Sequence, residues 1–203
     1  MEILGRLLKK GFRPALVSRG YKGQWEKEGG LVSDGAEIFA SWEQAGDEPL
    51  LVARAIPRAG VFVGKNRLAS CCRAKDQGFD IAVLDDGFQH RRLGRNLDIA
   101  LYSPLERTAL REPRRSLKRA DIILIKAEDI PVSKPARTLG RAQEDAFAYT
   151  VLNKGFFHLW KDEPITSENL AKKLLLAFCG IARPERFFSH LEQAGARIVS
   201  SLI

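Results

Sequence analysis

The sequence predicts an α/β protein: a doubly wound parallel sheet, then a β-hairpin connector and the start of a second α/β unit. Three observations predict it. β-favouring apolar runs alternate with amphipathic, helix-like stretches from Met1 to Lys126. The alternation breaks at Pro131 and Pro135 and resumes only near Leu174. At its centre, Ile81-Ala82-Val83-Leu84 runs straight into Asp85-Asp86-Gly87, which reads as a buried parallel strand delivering charge at its carboxyl end. Ligands of open α/β sheets bind outside that end. Adjacent carboxylates there either flank a cation, with Mg²⁺ held for a nucleotide as the natural occupant, or are the solvated acids of an Asp-Gly turn.

The elements follow in order. Met1–Lys10 reads as a helix with Ile3, Leu4, Leu7 and Leu8 on one face and Gly11 as its stop. No capping residue precedes it, so the chain is expected to begin inside a helix. Pro14–Ser18 is a short strand entering Arg19-Gly20-Tyr21-Lys22-Gly23, which suits either a loop beside an anionic ligand or a plain surface turn. Leu31-Val32 and Ile38-Phe39 are candidate strands within a polar segment. Asp47 and Glu48 precede Pro49 and an apolar stretch, a standard helix start. Val61-Phe62-Val63 is the next strand. Asn66 caps a helix through Gln77 that is expected to bury Leu68, Cys71 and Cys72.

After the central strand, Leu97–Tyr102 and Asp121–Lys126 read as strands. Between them, Arg107–Arg119 carries six basic residues against Glu112 alone and is expected to cover a sheet end. Pro131–Asp145 reads as a connector. Phe147–Leu152 and Phe156–Trp160 read as a hairpin around Asn153-Lys154-Gly155. Leu174–Gly180, a helix opened by Pro184 with Phe187, Phe188 and Leu191 inward, and a strand from Arg197 begin a second α/β unit. The expected organisation is therefore residues 1–145, a connector at 146–161, and the start of another domain at 162–203.

Composition narrows the function classes. Of 203 residues, 45% are hydrophobic and 29% charged, ordinary for a globular protein. The formal charge of +8 favours an anionic partner. A nucleic acid is disfavoured, because the sequence has no basic–aromatic interleaving and no nucleic-acid motif. Three cysteines, two of them adjacent, form neither a disulfide framework nor a zinc spacing, which fits a reducing cytoplasm. No apolar run reaches transmembrane length.

The segments Ser18-Arg19-Gly20-Tyr21, Gly46-Asp47-Glu48-Pro49, Val63-Gly64 with Arg67, and Leu84-Asp85-Asp86-Gly87-Phe88-Gln89-His90 stand in a distinctive order. Leu110-Arg111-Glu112-Pro113, Arg119-Ala120-Asp121, Phe178-Cys179-Gly180-Ile181 and Pro184-Glu185-Arg186-Phe187-Phe188 extend it over nearly the whole chain. Together they resemble the tetraacyldisaccharide 4'-kinases of lipid A biosynthesis. Each segment alone is weakly specific; the Asp-Asp-Gly-Phe-Gln-His and Gly-Asp-Glu-Pro blocks together are strongly so. The resemblance implies a P-loop NTPase-like kinase. It would use ATP and Mg²⁺ to phosphorylate the 4'-hydroxyl of tetraacyldisaccharide 1-phosphate, a lipid-linked disaccharide, at the cytoplasmic face of the bacterial inner membrane.

By the same resemblance, Asp86 with Asp85 holds the metal, Asp47 is the general base, and Glu48 is a second metal or water ligand. Arg67, Gln89 and His90 border the nucleotide site; the plain alternative for His90 is a hydrogen-bonded strand-end histidine. Arg107–Arg119 would meet the substrate phosphate or an anionic membrane surface. Two departures qualify this. The chain contains no G-x-x-x-x-G-K-[ST] phosphate loop, which the family carries directly before the helix that Met1–Lys10 resembles. It also lacks the family's later Asp-His-His/Tyr block. The expectation is an incomplete, inactive piece of such a kinase, with unpaired edges or a gap between the strands at Pro14–Ser18 and Ile81–Leu84. The alternative is a non-catalytic remnant that binds anionic lipid or nucleotide.

Overall fold

In the computed structural model the described residues are 1–103, 111–130, 146–152, 155–159, 161, 163–181 and 184–203. The expected connector Pro131–Asp145, and Arg107, Leu110, Asn153, Lys154 and Trp160, lie outside them. The chain divides into two units, Met1–Tyr149 and Thr150–Ile203.

The first unit opens with α1 (Glu2–Lys9), which buries Leu4 and ends where Gly11 takes φ 86°. β1 (Pro14–Ser18) is buried at every position. It lies between β3 (Gly60–Val63) and β4 (Ile81–Leu84), parallel to both, and β2 (Gly30–Asp34) closes the far edge antiparallel to β3. α2 (Trp42–Ala45) starts with a reciprocal capping box between Ser41 and Gln44. α3 (Asp47–Ala55) follows directly. α4 (Arg67–Asp76) is capped as expected, by the Asn66 side chain accepting the Ala69 amide at 3.2 Å. A second parallel sheet runs β5 (Ile99–Tyr102), β6 (Ile122–Lys126), β7 (Ala146–Tyr149), with β6 in the middle.

The first sheet is covered on both faces. Leu4, Leu16, Val32, Leu50, Val61 and Val63 form one core layer, with Val83 packed against it. Ala15, Val17, Phe62, Ala74 and Phe79 form the other, joined by Cys71 and Leu84. This is why β1 and β3 are apolar at successive positions rather than alternating. Phe62 meets Phe79 edge-to-face, with ring centroids 5.7 Å apart.

The structure corrects several expectations. Where a hairpin over 146–161 was expected, the described residues pair otherwise: β7 adds in parallel to β6, and β8 (Phe156–Phe157) pairs antiparallel with β9 (Pro164–Ile165). An apolar run can join any unfilled parallel edge, and here the neighbouring β6 provides one. No gap separates β1 from β4, since Pro14–Val17 pair directly with Ile81–Leu84. Among the described residues Ile81–Leu84 is nevertheless an edge strand, and it is only partly buried. Ile38 contributes a single bridge to Ser33 and no strand. On α4, Leu68 and Cys72 point outward; the inward face is Arg67, Ser70 and Ala74, one helical stripe over.

The second unit pairs β10 (Leu174–Phe178) in parallel with β11 (Arg197–Leu202). α5 (Ser167–Ala171) is capped by Thr166, and α6 (Pro184–Gln193) stops before Gly195 at φ 87°. Leu170, Ala177, Leu191 and Ala196 form its core, with Phe187 and Phe188 packed against them.

Candidate functional site

The carboxyl ends of β1, β3 and β4 lie side by side, because Ser18 pairs with Val63 and Val17 with Leu84. Each strand hands its chain to a loop carrying polar groups. β1 ends in Ser18, whose hydroxyl donates to Asp85 Oδ2 at 3.1 Å; the Asp85 amide donates in turn to the Val17 carbonyl at 3.0 Å. The next residue, Asp86, adopts φ 51°, a left-handed conformation that Asp tolerates better than most residues. This kink takes the chain off the strand, and the Asp86 carboxylate receives Arg111 Nη1 at 2.5 Å.

The loop behind Asp86 is held by arginines. Arg119 stacks on the Phe88 ring at 4.4 Å, donates to the Phe88 carbonyl at 3.4 Å and pairs with Glu112. A hydrogen bond from Ser116, with Arg119 beside it, holds the Glu112 carboxyl below its ordinary range. Arg95 makes a fork–fork pair with Asp98 at 2.6 and 3.0 Å and donates to the His90 and Leu93 carbonyls.

Arg67 is the buried cation of the site. Its Nη1 donates to the Gly64 carbonyl at 2.5 Å, and its Nε has no partner among the described residues. Burial pulls its pKa down, aided by Arg19, while the charges of Asp85 and Asp86 oppose this. An arginine stays protonated under such a shift. It therefore offers an unused donor beside two acids.

Asp47 and Glu48 occupy the exposed first turn of α3, and the Asp47 carboxylate accepts the Glu48 amide at 3.0 Å. Their placement is set by two glycine turns in close contact. Gly46, at φ 84°, begins α3 within touching distance of the Tyr21 carbonyl, and Gly20, at φ 66°, follows β1. A Cβ on Gly23 would lie 2.7 Å from the Gln44 carbonyl oxygen and 2.8 Å from the Gly46 nitrogen. The obstruction is backbone and cannot rotate away. Gly23→Ala is expected to cost about 1–3 kcal/mol, the range for overpacking. Thermal melting measures this; an unchanged Tm would show that the two turns separate freely. Glu26 closes the same loop, accepting the Lys22 amide at 3.0 Å and Arg19 Nε at 2.7 Å, bonds that lower its pKa.

The structure thus brings Asp85, Asp86 and Arg67 into one electrostatic cluster. Asp85, Asp86 and Gln89 also line a cleft between β4 and β5. Asp47 and Glu48 stand at the end of α3, outside that lining, and His90 is held through its main chain. Among the described residues no three His, Cys, Asp or Glu side chains converge as a metal cage, so Glu48 does not join Asp85 and Asp86 in a preformed ligand set. Sequence reasoning missed Ser18 as a site residue, and it placed Arg111 and Arg119 in a basic stretch facing the substrate or membrane without foreseeing their contacts with Asp86 and Phe88. The available signals were a hydroxyl at a strand's carboxyl end and arginines inside the quoted motifs. Among the described residues no helix is long and apolar enough to cross a membrane.

Comparison with known proteins fits this geometry. The family model described as tetraacyldisaccharide-1-P 4'-kinase matches residues 1–203. A tetraacyldisaccharide 4'-kinase of Desulfotalea psychrophila is 36% identical over 208 residues, covering 95% of this chain and 59% of the relative. One of Syntrophus aciditrophicus is 37% identical over 224 residues, covering 98% and 60%. The crystal structure of LpxK from Aquifex aeolicus, described as an "apo" form in complex with ATP, superimposes with a TM-score of 0.75 at 28% identity. That superposition covers 99% of this chain and 64% of the other. The chain thus spans about three-fifths of the length of the curated relatives it matches. A match along all 203 residues, with the acidic strand end and the glycine turns in place, settles the assignment: the chain belongs to the tetraacyldisaccharide-1-P 4'-kinase family.

Proposed function

We propose that these residues supply the acidic and basic half of a P-loop NTPase-like kinase that moves the γ-phosphate of ATP to the 4'-hydroxyl of tetraacyldisaccharide 1-phosphate. The observation carrying this reading is the Asp85–Asp86 pair at the carboxyl end of β4, with Ser18, Arg67 and Arg111 around it. The solved relative bound to ATP supports the nucleotide.

Mg²⁺ fits the donor set. It binds through one or two carboxylates together with substrate phosphates and water, and rarely in an all-protein cage. Two neighbouring carboxylates without a third ligand match that habit. The metal, when bound, neutralises charge on the phosphates. Asp86 and Asp85 would hold it, and Ser18 fixes Asp85 by donating to one of its oxygens. Arg67 directs its unused Nε–H toward phosphate oxygen, and Gln89 and His90 border the nucleotide. Asp47 accepts the proton of the 4'-hydroxyl, with Glu48 beside it as a water ligand.

The exposed cations Arg111, Arg114, Arg115 and Lys118, within a chain of net charge +8, favour the substrate's phosphate and an anionic membrane surface on the cytoplasmic side. No phosphate-loop motif exists among the 203 residues, so by themselves they are expected to transfer no phosphate above a blank. Radiolabelled ATP with the disaccharide acceptor tests both halves of the reading. A longer polypeptide that adds a phosphate loop to these residues should label the lipid and lose that activity on Asp47→Ala. Labelling that survives the substitution, or labelling by the 203 residues alone, would refute the assignment.

A further inference from the structure

Arg119-Ala120-Asp121 stands at the entry to β6 and takes no part in the proposed phosphate chemistry. We propose that Arg119 and Asp121, together with Arg95 and Asp98, form a brace: Arg95 and Arg119 are positioning residues that fix where Gln89 and His90 stand. The inference rests on the kinase reading, which puts those two residues beside the nucleotide.

Residues 85–98 join β4 to β5 through turns, without helix or strand. Their own bonds are short-range, such as the His90 amide to the Gly87 carbonyl at 2.9 Å and the Leu93 amide to the His90 carbonyl at 3.3 Å. Such bonds fold a loop locally and do not set its place against a sheet. Two arginines supply that tie, gripping main-chain oxygens on either side of Gln89. Arg119 Nη1 donates to the Phe88 carbonyl at 3.4 Å, and its guanidinium lies 4.4 Å over the Phe88 ring. Arg95 Nη1 donates to the His90 carbonyl at 2.7 Å and to the Leu93 carbonyl at 2.9 Å. Its Nε and Nη2 are both taken by Asp98. One flat guanidinium thus joins both oxygens of a carboxylate to two carbonyls, a fork that a lysine's single nitrogen cannot reproduce.

Both grips are rooted at the same point of the second sheet. The Asp98 amide donates to Asp121 Oδ2 at 2.7 Å, and the Asp98 carbonyl accepts the Asp121 and Ile122 amides at 2.9 and 3.1 Å. Asp98 is thereby pinned to the entry of β6. Arg119 leaves the chain just before that entry, anchored by Glu112. The Arg95 and Asp98 side chains are only 12% and 18% exposed, so solvent and salt weaken this pair less than a surface pair. A side chain held by a rigid element transmits that element's position, and a displacement of about 1 Å near reacting groups can cost about 10²-fold in rate.

The test uses the longer polypeptide that adds a phosphate loop to these residues, and Arg95→Lys, which keeps the charge and loses the fork. Without nucleotide, hydrogen exchange at residues 88–93 should quicken about tenfold or more. The KM for ATP should rise about tenfold with kcat nearly unchanged. Adding Arg95→Lys to Gln89→Ala and His90→Ala should raise KM no further, because the brace acts through the residues already removed. Asp80→Ala controls for lost stability. It removes the acceptor of the Arg13 amide at the amino end of β4, and should lower the melting temperature and leave KM unchanged. Unchanged exchange at 88–93, an unchanged KM in Arg95→Lys, additive losses in the combined variant, or an equal rise in KM with Asp80→Ala would each overturn the proposal. Failure of the kinase reading shows separately, as no labelling of the lipid by the parent polypeptide, and the exchange measurement then still decides whether the brace exists.

Discussion

Asp86→Asn is expected to lower phosphate transfer by the complete kinase about 10²–10³-fold, the scale for removing one preorganised electrostatic contact. Asparagine is the informative substitution because Asp86 sits at φ 51°. Asn occupies that left-handed conformation readily, whereas Ala adds a backbone penalty to the loss of charge. Asp86→Asn therefore isolates the charge. It also releases Arg111 from its 2.5 Å ion pair, which is exposed on both sides and contributes little to stability. The expected signature is weakened Mg²⁺–nucleotide affinity with an almost unchanged melting temperature. Asp47→Ala should behave differently, lowering turnover while leaving nucleotide affinity nearly intact, since a base acts mainly in the transition state. Equal losses of ATP affinity in both variants would contradict the division of roles.

Phe62→Ala is expected to destabilise the first unit by about 3–5 kcal/mol. A domain's whole margin is about 5–15 kcal/mol, so the variant approaches the unfolding threshold. Phe62 is fully buried on β3 and meets Phe79 edge-to-face at 5.7 Å. Phe79 lies over Gly60, where an added Cβ would approach its ring to 2.4 Å, and Arg13 sits over the same ring at 5.3 Å. The Phe79 position is thus fixed by Gly60 and Arg13, and it cannot slide into the space vacated by Phe62. That is the condition under which a cavity persists and its full cost appears. Phe62→Leu, which keeps most of the volume, should lose well under half as much. Urea denaturation of the variants measures both. A loss below about 1 kcal/mol for Phe62→Ala would mean that the layer collapses around the gap.

What could be read in the sequence was local. The Asn66 cap, the Gly11 and Gly195 stops and the apolar runs of β1, β3, β6 and β10 fall where the patterns put them, because caps, left-handed glycines and burial leave marks within a few residues. Pairing was not local. Phe147–Leu152 reads equally well as a hairpin arm or as a third parallel strand, and only the free edge of β6 distinguishes them. Ile81–Leu84 has the composition of an interior strand yet lies at an edge, because composition reports the faces of a strand and not its two sides. The site divides in the same way. The two acids after β4 announced themselves through their contrast with the run before them. Ser18 and Arg119 did not, because each matters through a residue far along the chain, Asp85 and Phe88. On α4, the inward stripe through Arg67 was hidden because a buried arginine looks polar in any hydrophobic pattern.

The central position of β1 also has a consequence for biosynthesis. The middle strand of the first sheet, Pro14–Ser18, is made before its partners Gly60–Val63 and Ile81–Leu84. With elongation at about 5–20 residues per second, Ala15 waits roughly 2–9 s before Gly60 is made. During that interval a strand that is buried at every position in the folded sheet is an unpaired apolar segment, next to a helix too short to hold itself together alone. β2 cannot relieve it, since β2 belongs beside β3. The topology that puts this strand at the heart of the site thus also leaves it without a sheet partner until β3 is made.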